Sequence, residues 1–318
     1  MKPVTRLFLI GAPVLVVAAV LFGGGGGSEV LADHPPERPD RSDAPDPLGS
    51  GASGGKDGKG DKEKAEESEE TERRLAALPP GLADPGMKEI AAKIMASADH
   101  STLEWRGQYG VIEDLGDGNG YTAGIIGFCS GTADMLHLVE SYTSDHPDNP
   151  LARYLPALRE VNGTDSHEGL DPDFPAAWAK AAESPDFRAA QDRTRDRLYF
   201  EPAVRLAKLD GLGTLGQFIY YDAMVLHGPG TDARGFYGIR KTARERAATA
   251  ADGGDEKTYL NAFLDGARQV MKTKSVVSQR DSSRIDTAQR IFLRDGNTAL
   301  EPPLTWQMYG ETFRIPAR

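Results

Sequence analysis

The residues best suited to chemistry in this chain are two aspartates, Asp99 and Asp117, eighteen positions apart. Asp99 ends a helical pattern, and Asp117 opens the turn D-G-N-G at residues 117–120, directly before a β-prone run at residues 121–128. The glycines let the backbone approach a ligand closely and leave the acid exposed above a rigid strand. Two acids across a groove are what glycosidic bond cleavage requires, since one protonates the leaving oxygen and the other activates water or attacks carbon. The alternative interpretation is structural, a helix-terminal acid and a hairpin turn.

Other catalytic chemistries lack their motifs. The six histidines are scattered and no H-E-x-x-H spacing occurs, which argues against a metal-dependent hydrolase. No G-x-S-x-G elbow, P-loop or G-x-G-x-x-G fingerprint is present. A calcium loop from Asp117 would need an acid at its twelfth position, where Phe128 stands. The single cysteine, Cys129, excludes an intrachain disulfide and a cysteine metal cluster, and we expect it to be a buried core thiol. We therefore predict a site without metal or cofactor.

The elements that position these acids are expected within residues 84–318, one globular domain with a sizeable core. Residues 7–22 form an uncharged apolar run behind Lys2 and Arg6, so residues 1–32 are predicted to be a secretory signal peptide or, as the minority interpretation, an N-terminal membrane anchor. Residues 33–83 are Gly-, Pro- and charge-rich and too poor in apolar residues to form a core, which predicts a disordered linker. The charged block at residues 61–74 could form a short helix with no apolar face to dock.

Helical patterns dominate the domain. The dipeptide D-P at residues 84–85 is typical of an N-cap followed by the first helical position, and helical spacing then continues to Asp99. The one convincing β region is residues 121–128. The predicted class is therefore α+β, mainly helical, with a small β-sheet. Further helices are predicted at residues 134–142, 151–161, 176–182, 187–210, 213–227, 238–250, 256–272 and 282–294. The tryptophans are predicted to be core residues rather than sugar platforms: Trp105, Trp178 and Trp306.

Several segments carry a family resemblance. They include I-A-A-K-I-M-A-S-A-D-H-S-T-L-E-W-R-G-Q-Y at residues 90–109 and I-E-D-L-G-D-G-N-G-Y-T-A-G-I-I-G-F-C-S-G-T-A-D-M at residues 112–135. Further ones are L-G-Q-F-I-Y-Y-D-A-M-V-L-H-G-P-G at residues 215–230 and P-P-L-T-W at residues 302–306. Together they strongly resemble the family 46 glycoside hydrolases, secreted bacterial chitosanases, over essentially all of residues 84–318. The resemblance implies a lysozyme-like, two-lobed domain with a substrate cleft between the lobes.

The resemblance also implies an activity, internal hydrolysis of β-1,4-linked glucosamine in chitosan with inversion. Asp117 matches the family's general base, and Thr122 matches the residue that helps to orient the attacking water. Asp134 matches a carboxylate that binds a glucosamine amine. A further set matches a buried charge network that positions the general acid: Asp222, Arg268 and Arg284.

The chain departs from the family pattern at the general acid. The family uses a glutamate, and the aligned residue here is Asp99. Aspartate is one methylene shorter, and a misplacement of about 1 Å can cost on the order of a hundredfold in rate. Three hypotheses remain open: a chitosanase weakened at its acid, a chitosan-binding protein with decayed catalysis and, less favoured, a muramidase. Glu104 and Glu113 are candidate substitutes for the acid.

The charge balance indicates the kind of partner. The chain has a formal net charge of −11 at pH 7. An acidic surface disfavours nucleic acid and suits a cationic ligand such as chitosan. We expect the protein to be a secreted monomer. In the alternative interpretation, an uncleaved N-terminal anchor attaches it to a membrane.

Overall fold

The computed structural model describes residues 60–274 and 280–317, so the predictions for residues 1–59 lie outside it. Within those ranges, no helix has both the length and the apolar character needed to cross a membrane. The predicted class, mainly helical α+β with a small sheet, is confirmed.

The α-helices are α1 Gly60–Ala77, α2 Pro85–His100, α3 Asp134–Asp145, α4 Leu155–Val161, α5 Phe174–Ala181, α6 Pro185–Arg195, α7 Glu201–Leu209, α8 Thr214–His227, α9 Phe236–Arg246, α10 Glu256–Lys272 and α11 Arg290–Arg294. The strands are β1 Ile112–Asp114, β2 Tyr121–Ala123, β3 Phe128–Cys129, β4 Leu304–Met308 and β5 Glu311–Ile315.

Helix α2 carries Asp99 and begins where the sequence predicts. The Asp84 side chain accepts hydrogen bonds from two backbone N–H groups of the first turn, at 2.8 and 3.2 Å, and Pro85 occupies that turn. The helix ends at His100, and the next residue, Ser101, caps it with a left-handed φ of 50°. One face is buried, including Ile90, Ala91, Ile94, Met95 and Ala98. Asp99 therefore belongs to the last turn of a helix that packing holds in place.

The predicted β region at residues 121–128 forms two short strands rather than one. β2 pairs antiparallel with β1 on one side and with β3 on the other. Between β2 and β3 the chain turns at Gly124 and Gly127, whose φ angles are 76° and 70°. A Cβ at Gly124 would lie 2.3 Å from Oε1 of Gln191. Both the left-handed backbone and this close approach require glycine, so the strand cannot continue.

Two helices that the sequence predicts as continuous contain π-helical turns. The stretch predicted at residues 187–210 is α6, a first π-helix at Asp196–Phe200, and α7. Pro202, in the first turn of α7, has no N–H to continue the α-helical hydrogen bonding. The stretch predicted at residues 282–294 is a second π-helix, Arg284–Gln289, followed by α11. Such turns are frequent at functional sites.

The C-terminal hairpin of β4 and β5 is absent from the sequence prediction, which places the β structure at residues 121–128. Its strands are joined by Tyr309 and Gly310, whose φ angles of 51° and 84° are both left-handed, as a two-residue hairpin turn requires. Along β4, buried and exposed side chains alternate strictly. That period of two is the signal of a strand with one face on the core, and it is visible in the sequence.

Part of the predicted linker is folded. Helix α1 occupies residues 60–77, and Leu82, in a 3₁₀ turn, is fully buried. The α1 sequence is rich in Glu, Lys and Ala, which favour helix intrinsically. Arg205 of α7 donates to Oε1 of Glu72 at 2.6 and 2.9 Å, but both side chains are about half exposed, so the pair holds α1 weakly. The structure thus differs from the linker prediction over residues 60–83.

The core contains all three tryptophans, as predicted. Trp178 and Trp306 are almost completely buried, and Trp105 is 9% exposed. Each indole N–H is also paired, for example Trp178 with the carbonyl oxygen of Tyr109 at 3.0 Å. The aromatic rings therefore stabilise the fold from inside it.

Candidate active site

Asp99 lies in a cluster of charges that three elements bring together. Arg284, at the start of the second π-helix, donates one hydrogen bond to Asp99 and another, at 2.8 Å, to Asp222 of α8. Gln289 donates to the second oxygen of Asp222 at 2.7 Å. Side-chain exposure is 7% for Arg284 and 3% for Asp222, but 26% for Asp99. Asp99 is therefore the member of this cluster that a substrate can reach.

The cluster contains one cation for two carboxyl groups. Burial raises the pKa of Asp222; Arg284 opposes that rise, and the like charge of Asp99 adds to it. Burial acts to lower the pKa of Arg284, but the attraction of Asp222 and Asp99 outweighs it, so that pKa is raised and the guanidinium stays charged. Burial and the like charge of Asp99 therefore favour a proton on Asp222, the buried carboxyl of the cluster.

Arg268 bonds to Asp286, which lies outside this cluster, whereas the resemblance implies that Arg268 belongs to the same charge network as Arg284. Its Nε donates to both oxygens of Asp286, at 3.0 and 2.7 Å, and 35% of its side chain is exposed. Asp286 also accepts a hydrogen bond from the Ser282 hydroxyl at 2.6 Å. Because Asp286 lies on the second π-helix, Arg268 supports the segment that carries Arg284 rather than Asp99 itself. The Arg268 side chain on α10 is thus more exposed than that of Arg284, which is 7% exposed.

The C-terminal hairpin supports both sides of the Asp99–Arg284 pair. Trp306 Nε1 donates to the hydroxyl oxygen of Ser97 in α2 at 2.9 Å. Thr287 Oγ1, on the second π-helix, donates to the backbone carbonyl oxygen of Gln307 at 2.6 Å. Strand β4 therefore connects the end of α2 to the helix of Arg284. The sequence analysis predicts only a core role for Trp306 and none for Thr287.

Asp117 lies in the loop between β1 and β2, on the predicted turn. One carboxylate oxygen accepts from the backbone N–H of Asn119 at 3.0 Å and the other from its side-chain amide at 2.9 Å. Gly118 and Gly120 have φ angles of 85° and 68°. A Cβ at Gly120 would lie 2.3 Å from the hydroxyl oxygen of Ser130. The glycines thus allow the tight loop, and Asn119 orients the carboxylate.

Thr122 lies at the centre of the three-stranded sheet. It pairs with Glu113 of β1 and Cys129 of β3, and directly opposed residues project to the same face. Its hydroxyl oxygen is 3.5 Å from Sγ of Cys129. Cys129 is half-buried beside this hydroxyl rather than a fully buried core thiol. Of the two candidate substitute acids, Glu113 is therefore an exposed neighbour of Thr122, whereas Glu104 precedes a 3₁₀ turn.

Asp134 begins α3 and is only 6% exposed. Its Oδ1 accepts from the Cys129 backbone N–H at 3.0 Å and from the Thr132 hydroxyl at 2.8 Å. Its Oδ2 accepts from the Tyr199 hydroxyl at 2.8 Å. These bonds place a fixed carboxylate directly behind β3. The amine-binding role that the resemblance implies for Asp134 stays a prediction.

Packed aromatic residues connect the two halves of the site. Tyr199, bonded to Asp134, is followed in the first π-helix by Phe200, whose ring meets Tyr221 edge-on at 5.1 Å between centroids. Tyr221 directly precedes Asp222. The pKa of the Tyr221 hydroxyl is raised, chiefly because the side chain is buried. The carboxylates of α3 and α8 are therefore joined through side chains buried between them.

The arrangement supplies acid–base chemistry. Asp99 offers a carboxyl held by a buried cation, and Asp117 offers a carboxylate oriented by Asn119. In the part of the chain that the structure describes, no group of three or more His, Cys, Asp or Glu side chains could hold a metal ion.

Replacing the buried arginine should cost far more stability than replacing the exposed one. Arg284→Met leaves Asp222 buried with Gln289 as its remaining partner, and breaking such a pair costs about 3–5 kcal/mol. Arg268→Met, the matched control, breaks a pair that is one-third exposed and should cost at most about 1 kcal/mol. Urea unfolding at neutral pH measures both, and equal losses would contradict the burial argument.

The raised pKa of Asp222 predicts a pH dependence. The folded chain binds a proton at Asp222 more tightly than the unfolded chain, whose carboxyl has its ordinary pKa of 3.8. The stability that this proton contributes is present below that value and is lost as pH rises through the raised pKa. Asp222→Asn cannot titrate. The difference in unfolding free energy between variant and parent should therefore shift in favour of the variant as pH rises from about 4 to about 7. Urea unfolding across that range tests the sign, and a relative loss would show that the pKa is lowered.

Comparison with known proteins places the chain in a family. Residues 93–304 match the family described as Glycosyl hydrolase family 46. A chitosanase of Streptomyces sp. (strain N174) is 57% identical over 235 residues, 74% of this chain and 84% of its own. A chitosanase of Nocardioides sp. (strain N106) is 54% identical over 242 residues, 76% of this chain and 85% of its own. The solved chitosanase OU01, co-crystallised with substrate, has a TM-score of 0.73 at 50% identity over 75% of this chain and 100% of its own, which confirms the lysozyme-like α+β fold. The chain therefore belongs to glycosyl hydrolase family 46, as its sequence segments predict.

Proposed function

We propose that this glycoside hydrolase cleaves internal β-1,4 linkages of chitosan by a single displacement with inversion. Support comes from relatives at 54% and 57% identity that are chitosanases, and from a structural neighbour solved with substrate. The observation that carries the proposal is the outward-facing Asp99, which the buried Arg284 holds at the end of α2. A carboxyl group fixed in position and open to a substrate is placed to transfer a proton to a glycosidic oxygen.

The proposed reaction uses two carboxyl groups and one water. Asp99 donates its proton to the glycosidic oxygen, and the bond from that oxygen to the anomeric carbon breaks. Water attacks the same carbon from the opposite face, and Asp117 takes its proton. Thr122 holds the water through its hydroxyl. Inversion of this kind needs carboxyl groups about 6.5–9.5 Å apart, so that the water fits between them.

The chemistry of the polymer suits the charge of the chain. Chitosan carries ammonium groups, and the chain has a formal net charge of −11. We assign Asp134 to amine recognition and Arg268 and Arg284 to positioning, with Asp222 as the buried partner of Arg284. We further propose a monomer that is exported by its N-terminal segment. No cofactor enters the proposal.

A second candidate, a chitosan-binding protein with decayed catalysis, is favoured by one observation. Asp99 is shorter than the glutamate of the family and is bonded to Arg284 on the protein side. A carboxyl drawn toward the buried guanidinium reaches less far toward a substrate, and catalysis is sensitive to displacements of about 1 Å.

Asp117→Asn should abolish turnover while sparing the fold. Loss of a general base costs on the order of 10²–10⁴ in rate, because water is no longer deprotonated during attack. The measurement is the release of reducing ends from chitosan, with proton NMR of the first products to identify the inverted α anomer. Asp148→Asn, an exposed loop substitution, is the matched control and should retain activity. A parent that binds chitosan without releasing ends supports the second candidate, and release from peptidoglycan instead supports a muramidase.

Asp99→Glu should raise chitosan turnover. The added methylene extends the carboxyl toward the glycosidic oxygen and relieves a misplacement worth up to about a hundredfold in kcat. Asp99→Asn, which cannot donate a proton as an acid, should lower kcat below that of the parent and serves as the control. A glutamate variant no faster than the parent would reject the idea that Asp99 is a shortened acid.

A further inference from the structure

Tyr309, at the tip of the C-terminal hairpin, reaches the end of α2. Its hydroxyl donates to the carbonyl oxygen of Ala98 at 2.8 Å. That carbonyl belongs to the last turn of the helix, where carbonyl groups have no helical N–H ahead of them. The bond therefore satisfies the peptide group that joins Ala98 to Asp99.

The same tyrosine also contacts the helix of Arg284. Its backbone N–H donates to the hydroxyl oxygen of Ser283, the residue before Arg284, at 3.4 Å. Burial raises the pKa of the Tyr309 hydroxyl, Arg284 opposes the rise and Asp99 adds to it, so both charges act on this hydroxyl. Tyr309 thus contacts the elements of both Asp99 and Arg284.

Neither turn geometry nor burial explains a tyrosine at this position. Its φ of 51° lies in the left-handed region, where a two-residue hairpin turn favours asparagine, aspartate or glycine. Half of the residue, 50%, is exposed, and phenylalanine would bury the same part of the ring. The bond from its hydroxyl to Ala98 is the contact that distinguishes tyrosine from phenylalanine here.

We propose that Tyr309 is a positioning residue for Asp99, which it acts on by closing the last turn of α2 from the hairpin side. This inference rests on the proposed function, in which Asp99 is the general acid. Without the hydroxyl, the end of α2 frays, and Asp99 spends less time beside Arg284 in the position that donates a proton. Groups that bind the polymer elsewhere are unaffected.

Tyr309→Phe removes the hydroxyl and keeps the ring. We expect kcat on chitosan to fall about tenfold while KM changes less than about twofold, because the acid loses its position and substrate binding is retained. Amide hydrogen exchange at Ser101 and Thr102, whose N–H groups bond back to Ala96, should become about tenfold faster. Amides of α10 report global opening and should not change.

Tyr237→Phe is the matched control, since it removes a half-buried hydroxyl from α9 and should alter neither readout. Unchanged kcat in an active parent, or unchanged exchange at Ser101 and Thr102, would overturn the positioning role. Faster exchange throughout α10 as well would overturn it in favour of a general effect on stability. A parent without chitosanase activity rejects the proposed function, and exchange then decides the role of Tyr309 alone.

Discussion

A buried arginine that must be neutralised is the constraint on which this structure depends. Removing a guanidinium from water costs several kcal/mol, and only close partners of opposite charge recover that cost. Arg284 finds them in Asp222, deep in α8, and in Asp99, at the edge of α2. The charge therefore fixes how α2, α8 and the second π-helix meet. The hairpin then closes over that junction, with Trp306 bonded to α2 and Thr287 bonded to β4.

The other half of the site depends on backbone conformation. Asp117 lies in a loop whose backbone is left-handed at Gly118 and Gly120, a conformation that favours glycine. The three-stranded sheet places Thr122 between Glu113 and Cys129. Asp134 holds β3 from beneath through the backbone of Cys129. The candidate base is thus oriented by local geometry, which tolerates few substitutions, while the candidate acid is oriented by charges on distant elements.

The aspartate at position 99 brings stability and catalysis into competition. The carboxyl of Asp99 neutralises Arg284, which stabilises the cluster, and in the proposed function the same carboxyl must also reach the glycosidic oxygen. Residues placed for activity commonly reduce the stability of the folded protein. The bond from Tyr309 to Ala98 limits how far the end of α2 can move.

Features that depend on neighbouring residues could be read from the amino-acid sequence. The start of α2 at Asp84 and the glycine turn at Asp117 could be predicted because capping and left-handed backbone are local effects. Local alternation also marks the hairpin, although the prediction did not use it. The family resemblance implied that Arg284 serves the general acid, but the fold was needed to show its bond to Asp99, 185 positions away, and the pairing of Arg268 with Asp286. Such pairings follow from how whole helices pack and which charges are buried together, and no spacing along the chain records that.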